Sequence, residues 1–110
     1  MKKENQKIKL IVQRKSKENN WKKIGVYSSL DYKKVGIYIE NICNELKDKK
    51  EMDFEIISEK DKVDIIQLSK CDAVILVEKY TETKYKKFIE LVKMMKDLDV
   101  EVLGVIIVHY

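Results

Sequence analysis

Apolar positions fall along this chain in two patterns, short continuous runs and helical stripes. Ile24-Gly25-Val26-Tyr27 is a short apolar run that stops at Ser28-Ser29, which predicts a strand and a turn. Val35, Tyr38, Ile39, Ile42, Cys43 and Leu46 then follow the i, i+3, i+4, i+7 rule, so 34–48 is predicted as an amphipathic helix ending in charge at Lys47 to Glu51. Phe54 to Ile57 is a second short strand. Residues 61–70 are a short helix or loop that turns Val63, Ile66 and Leu68 inward. Ala73 to Val77 is apolar throughout, as expected of a central strand covered on both faces. Thr81 or Thr83 is placed to cap a long helix that carries Tyr85, Phe88, Val92 and Met95 on one stripe, widened by Leu91 and Leu98. Val102 to Val108 is the last strand. Upstream, Ile8 to Val12 reads as a short strand, 15–20 as a polar connector, and Trp21 as a contact between the two parts.

Strands alternating with helices predict an α/β fold of three layers, Rossmann-like, with a mostly parallel sheet of about four core strands and a further N-terminal edge strand at 8–12. The whole chain has 110 residues, enough for one such core. The expected organisation is a basic arm over 1–23 and a single α/β domain over 24–110. No apolar stretch approaches the eighteen residues of a membrane span, and Met1 leads into lysine-rich sequence rather than a secretory h-region, so a cytoplasmic location is expected.

Charge sharpens this division. The overall net charge of +4 hides an arm with eight lysines and Arg14 against Glu4 and Glu18, a net +7; residues 24–110 hold 14 lysines against 17 acids, a net −3. A basic arm can attract an anionic membrane surface or simply keep the chain in solution. Arg14 is the sole arginine. Bidentate forks for phosphate or guanine are therefore scarce, which weighs against specific nucleic-acid readout.

Candidate chemistry belongs at the carboxyl ends of the strands, where open parallel sheets bind ligands. These ends are Ser28 to Lys34, Ser58 to Lys60, Glu78 to Thr81, and Val108 to Tyr110. The first has the position of a phosphate loop but contains no glycine before Gly36 and no Lys-Ser or Lys-Thr pair, so ordinary nucleotide binding is not expected. Lys33 and Lys34 are either an anion contact or solvated surface. Asp31 and Glu78 are the acids placed for a metal or general base, and solvated strand-end acids are the plainer reading. Receiver-type phosphorylation needs an acid cluster after the first strand, an Asp after the third and a Lys after the last. None of that set is present. Cys43 and Cys71 lack CxxC spacing and read as small buried hydrophobes. His109 reads as a surface or terminal residue. No zinc site and no cofactor is expected.

Asp72-Ala73-Val74-Ile75-Leu76-Val77, the helix that follows, and Val102-Leu103-Gly104-Val105-Ile106-Ile107 together resemble the end of the P-loop domain of bacterial capsular and exopolysaccharide tyrosine kinases. These are relatives of MinD/ParA-type ATPases, and the family's pattern there is DAVILVV, an amphipathic helix, then VLGVVLN. Ile24-Gly25-Val26-Tyr27-Ser28-Ser29-Leu30 is similar to the family's first strand, and Asn41 falls where its next helix carries Asn. The resemblance puts Val35 in the place of the catalytic Lys, Gly36 in that of the magnesium-binding hydroxyl, and Val108 in that of the Asn that faces the base. Neither Asp-bearing Walker segment is present between Phe54 and Cys71. The resemblance thus implies a degenerate, non-catalytic relative, like the cytoplasmic domain of a polysaccharide chain-length regulator. It would act by protein–protein contact in polysaccharide synthesis or export, through self-association or pairing with a polysaccharide tyrosine kinase or co-polymerase, at the inner face of the membrane. Its degenerate loop would comprise Ser28, Ser29, Asp31, Lys33, Lys34 and Gly36, with Glu78 and Thr81 at a second strand end. The alternatives left open are a small-ligand or nucleotide-sensing module using residues 32–36, and an enzyme using Asp31 or Glu78.

Overall fold

The computed structural model describes residues 3–47, 55–58 and 64–109. In chain order these form α1 (Lys3–Asn19), β1 (Lys23–Tyr27), α2 (Tyr32–Lys47), β2 (Glu55–Ile57), α3 (Ile65–Ser69), β3 (Ala73–Lys79), α4 (Tyr85–Asp97) and β4 (Glu101–Val108). The four strands make one parallel sheet in the order β2-β1-β3-β4. The architecture is a three-layer α/β fold of Rossmann-like type. Phe54, Val63, the residues 48–51, Glu59, Lys60 and Tyr110, on which parts of the sequence reading rest, lie outside the described residues.

Alternation along the strands builds two cores. Ile24, Val26, Ala73, Ile75 and Val77 point to one face, where they meet Val35, Ile39, Ile42, Cys43 and Leu46 of α2 and Val12 of α1. Tyr27, Val74 and Leu76 point to the other, against Leu68 of α3 and Leu91 and Met95 of α4. Because β3 is sandwiched, Ala73 to Glu78 are all buried, which is why its apolar residues run without a break. Gly25 is required by close approach: a Cβ there would stand 2.4 Å from the Tyr27 ring and 2.9 Å from Cys71 Sγ.

The N-terminal segment differs from expectation. Residues 8–12 are not an edge strand but part of α1, and 15–19 belong to its last turn rather than to a connector. The helical stripe is narrow: Ile8, Val12 and Ser16, four apart, face the sheet, and the Ser16 hydroxyl donates to the Val12 carbonyl. Ile8 Cδ1 lies 3.9 Å from where a Cβ of Gly104 would stand, and Lys15 pairs with Glu101 at 3.7 Å, so α1 covers β4 from one side. Trp21 packs against the same core, as its position at the junction suggests. Asn20 takes a positive φ of 55° and lets the Trp21 N–H reach the Ser16 carbonyl, a Schellman closure; Asp99 at 60° does the same for α4.

Other local expectations shift by one face or one turn. Leu68 is buried, but Ile66 is exposed. Asp64 caps α3, its carboxylate accepting the Ile66 N–H at 2.9 Å. Neither Thr81 nor Thr83 caps α4: its N-cap is Lys84, with no side-chain hydrogen bond. Tyr85, expected in the core stripe, is exposed. At the amino ends of the strands, Asp72 accepts the N–H groups of Lys22 and Lys23 at 2.7 and 3.0 Å and ties β1 to β3.

Candidate functional site

With β1 central, the chain runs to β2 on one side and to β3 and β4 on the other. Helix α2 lies on one face and α3 and α4 on the opposite one. The switch point is therefore between the carboxyl ends of β1 and β3, where such sheets open a ligand crevice. Ser28 and Ser29 follow β1 there, and Glu78 stands at the end of β3.

Glu78 is not a solvated strand-end acid. It is 3% exposed and accepts four hydrogen bonds. Its Oε1 takes the hydroxyls of Ser29 at 2.6 Å, Thr83 at 2.9 Å and Ser28 at 3.3 Å, and its Oε2 takes the Ser29 backbone N–H at 3.0 Å. A carboxylate offers about four lone-pair directions, so most of its accepting capacity is used by the protein itself. Two of the hydroxyls are also fixed from behind: Ser28 Oγ accepts the Leu30 N–H, and Thr83 Oγ1 accepts the Lys79 N–H, both at 3.0 Å. The network joins the loop after β1 to the turn after β3 and crowds Oε1 with three donors, while Oε2 takes one.

The other predicted residues are not brought together with this group. Asp31 is exposed, and its carbonyl accepts the Lys34 N–H at 2.9 Å. Lys33 and Lys34 are exposed on the first turns of α2. Val35, in the place of the kinase lysine, is a fully buried core side chain. Gly36 is not a loop glycine; it lies buried inside α2, where a Cβ would stand 2.5 Å from the Tyr32 ring. Tyr32 crosses it to donate to Glu40 at 2.8 Å, and that bond raises the tyrosine pKa above its usual range, with a smaller contribution from burial. Thr81 is exposed, and the hydroxyl that matters is that of Thr83 two residues on. Sequence reasoning gave Thr83 only a helix-cap role. The available signal was Glu78 itself, an acid ending an otherwise apolar strand with hydroxyls on both flanking loops.

Both cysteines are buried free thiols, as expected. Burial pushes the Cys43 thiol pKa up, opposed by a hydrogen bond with Ser58 and the Lys47 charge. Among the described residues no three His, Cys, Asp or Glu side chains converge as a metal site, and no helix is long and apolar enough to cross a membrane.

Beside the crevice lies a second feature. A groove of about 210 Å³ opens between the start of α4 and the end of β4, lined by Tyr80, Tyr85, Phe88, Val105 and Ile107 and, on the crevice side, by Glu78, Lys79 and Thr83. His109 is exposed and stacks on Tyr80 with ring centres 5.1 Å apart. In the turn below, Lys79 pairs with Glu82 at 3.0 Å, and hydrogen bonding to Lys79 lowers the Glu82 pKa, helped by the charges of Lys79 and Lys34.

Comparison of the chain with family models, curated proteins and solved structures gives no match.

Proposed function

We propose that this chain is a non-catalytic α/β domain that works by protein–protein contact. The observation that carries this reading is the occupancy of the switch-point crevice by Glu78. In a phosphate loop, backbone N–H groups after the first strand point at an anion. Here the Ser29 N–H points at an internal carboxylate. A phosphate entering that place would displace three hydroxyl contacts and meet a buried acid of like charge. With Val35 in the core, the place of the kinase lysine holds no charge to offset that repulsion. The polysaccharide setting, with a capsular kinase or co-polymerase as partner at the cytoplasmic face of the membrane, rests on the sequence resemblance alone.

Titration calorimetry with ATP and ADP, with and without magnesium, tests the reading. No binding heat up to millimolar nucleotide is expected. Magnesium-dependent binding that Lys33→Ala and Lys34→Ala abolish overturns it in favour of a nucleotide-sensing module.

A further inference from the structure

Strand β4 is the longer exposed edge of the sheet. Eight residues long, it pairs with β3 on one side and with no strand on the other among the described residues. Long edges are normally guarded by charge, proline or shortness. Between Val102 and Val108 this one has no charged residue and no proline. Helix α1 covers the face of Leu103, Gly104 and Ile106, but on the α4 side Val105 and Ile107 remain 37% and 52% exposed. They form one wall of the groove, and Tyr85 and Phe88 form the other.

The rim is basic. Residues 79–87 carry Lys79, Lys84, Lys86 and Lys87 against Glu82 alone, and Lys84, Lys86 and Lys87 are exposed. Charge decides between occupants. A two-fold interface sets a patch against its own copy, and here it would bring the two basic rims together. An extended acidic segment meets the opposite situation: its backbone completes the β4 edge, every second side chain enters the apolar groove, and acids on its flank face the lysines.

We propose that β4 and the adjoining groove bind an extended, acidic segment of a partner protein by strand addition. This deepens the contact function proposed above and rests on it. Alternating apolar residues of the segment fill the space between Phe88 and Ile107, and the lysines of α4 set its orientation and speed its capture.

Panning a displayed library of random decapeptides on the full chain tests this, with fluorescence anisotropy on the enriched peptides. Enriched sequences should alternate apolar and acidic residues. Their affinity should fall at least about tenfold in Ile107→Glu and in the triple variant K84E/K86E/K87E. N-methylation of alternate peptide bonds should abolish binding. All these substitutions are at exposed positions, and circular dichroism verifies their folding. Four results overturn the proposal: no enrichment; binding indifferent to both variants; a dimer in sedimentation that Ile107→Glu dissolves, which makes the face a self-interface; or lysine-dependent sedimentation with phosphatidylglycerol vesicles without peptide enrichment, which makes it a lipid surface. Nucleotide calorimetry reads the other reading separately. Magnesium-dependent nucleotide binding refutes the contact function, whereas silence in both assays refutes strand addition alone.

Discussion

Two regions meet at the turn 80–83, and they are opposite in character. On one side the crevice between β1 and β3 is where this topology places ligands, yet it is filled by its own polar groups: four donors converge on one buried carboxylate. On the other side the groove between α4 and β4 is not a customary ligand position in such sheets, yet it leaves apolar side chains and a strand edge exposed. Exposed apolar surface lies at the edge of the sheet and not at the switch point. Topology tells where a parallel sheet can open a site; the local balance of donors and acceptors tells whether it does.

The most disruptive way to break this contrast is to empty the crevice. Glu78→Ala removes the common acceptor and strands the hydroxyls of Ser28, Ser29 and Thr83 beside the half-buried Ser29 N–H. We expect a loss of about 3 kcal/mol in urea unfolding, since unsatisfied buried polar groups cost roughly 1–3 kcal/mol each when the surroundings relax only in part. If Glu78 were instead a poised catalytic acid, its removal would leave stability unchanged or raise it.

The next effect separates two threonines two residues apart. Thr83→Val loses both the bond to Glu78 and the acceptor for the Lys79 N–H, and should cost about 1–2 kcal/mol. Thr81→Val lies in the same turn without such a bond in the network and should stay within about 0.5 kcal/mol. Equal losses from the two would mean that the turn, and not the carboxylate, holds the crevice together.

These two sites also mark how far the sequence could be read. Continuous apolar runs placed β1, β3 and β4 and the period of 3.6 placed α2 and α4, because strands covered on both faces are apolar throughout while helices bury one stripe. It failed at α1, where only Ile8, Val12 and Ser16 turn inward and a β-branched run at Ile11-Val12 imitates a strand. Gly36 fell inside the predicted helix, and only the resemblance assigned it to a loop; its actual use is to let the Tyr32 ring lie across α2. In the crevice, Ser28, Ser29 and Glu78 were all legible as strand-end residues. Their convergence was not, because it depends on the register of β1 against β3, a relation between segments about fifty residues apart. The groove was hidden for a related reason: Tyr85 lies on the helical stripe of Phe88, Val92 and Met95, and only the extent of the sheet beneath α4 decides that it stays outside.

The groove should be far less costly to alter than the crevice. Val105→Ser and Ile107→Ser remove apolar surface that is already partly in water, so each should change stability by about 0.5 kcal/mol or less. Measured beside Glu78→Ala in the same urea titration, they separate a region kept for stability from one whose residues are free of that duty. A large loss from Ile107→Ser would place it in the core and remove the open groove from consideration.

The smallest effect is the most informative about how the regions are joined. Lys79 and Glu82 pair in the turn that both share, and the Glu82 carboxyl is held below the usual carboxylate range chiefly by its hydrogen bond with Lys79. A group with a lowered folded pKa gives its full contribution above the ordinary carboxylate range and loses it as pH falls through the lowered value. At neutral pH the pair is therefore intact, and Glu82 offsets one positive charge beside the groove. Glu82→Gln should leave the crevice network in place, because Glu82 makes no bond to Glu78, while adding one net positive charge to the rim. Acidic peptides should then bind about twofold more tightly at low ionic strength, with the gain in the association rate and its disappearance at about 0.5 M salt, where the Debye length is only a few ångströms. A gain that persists in high salt would point to a rearranged turn, and the crevice and the groove would then be one mechanical unit rather than two neighbours with separate tasks.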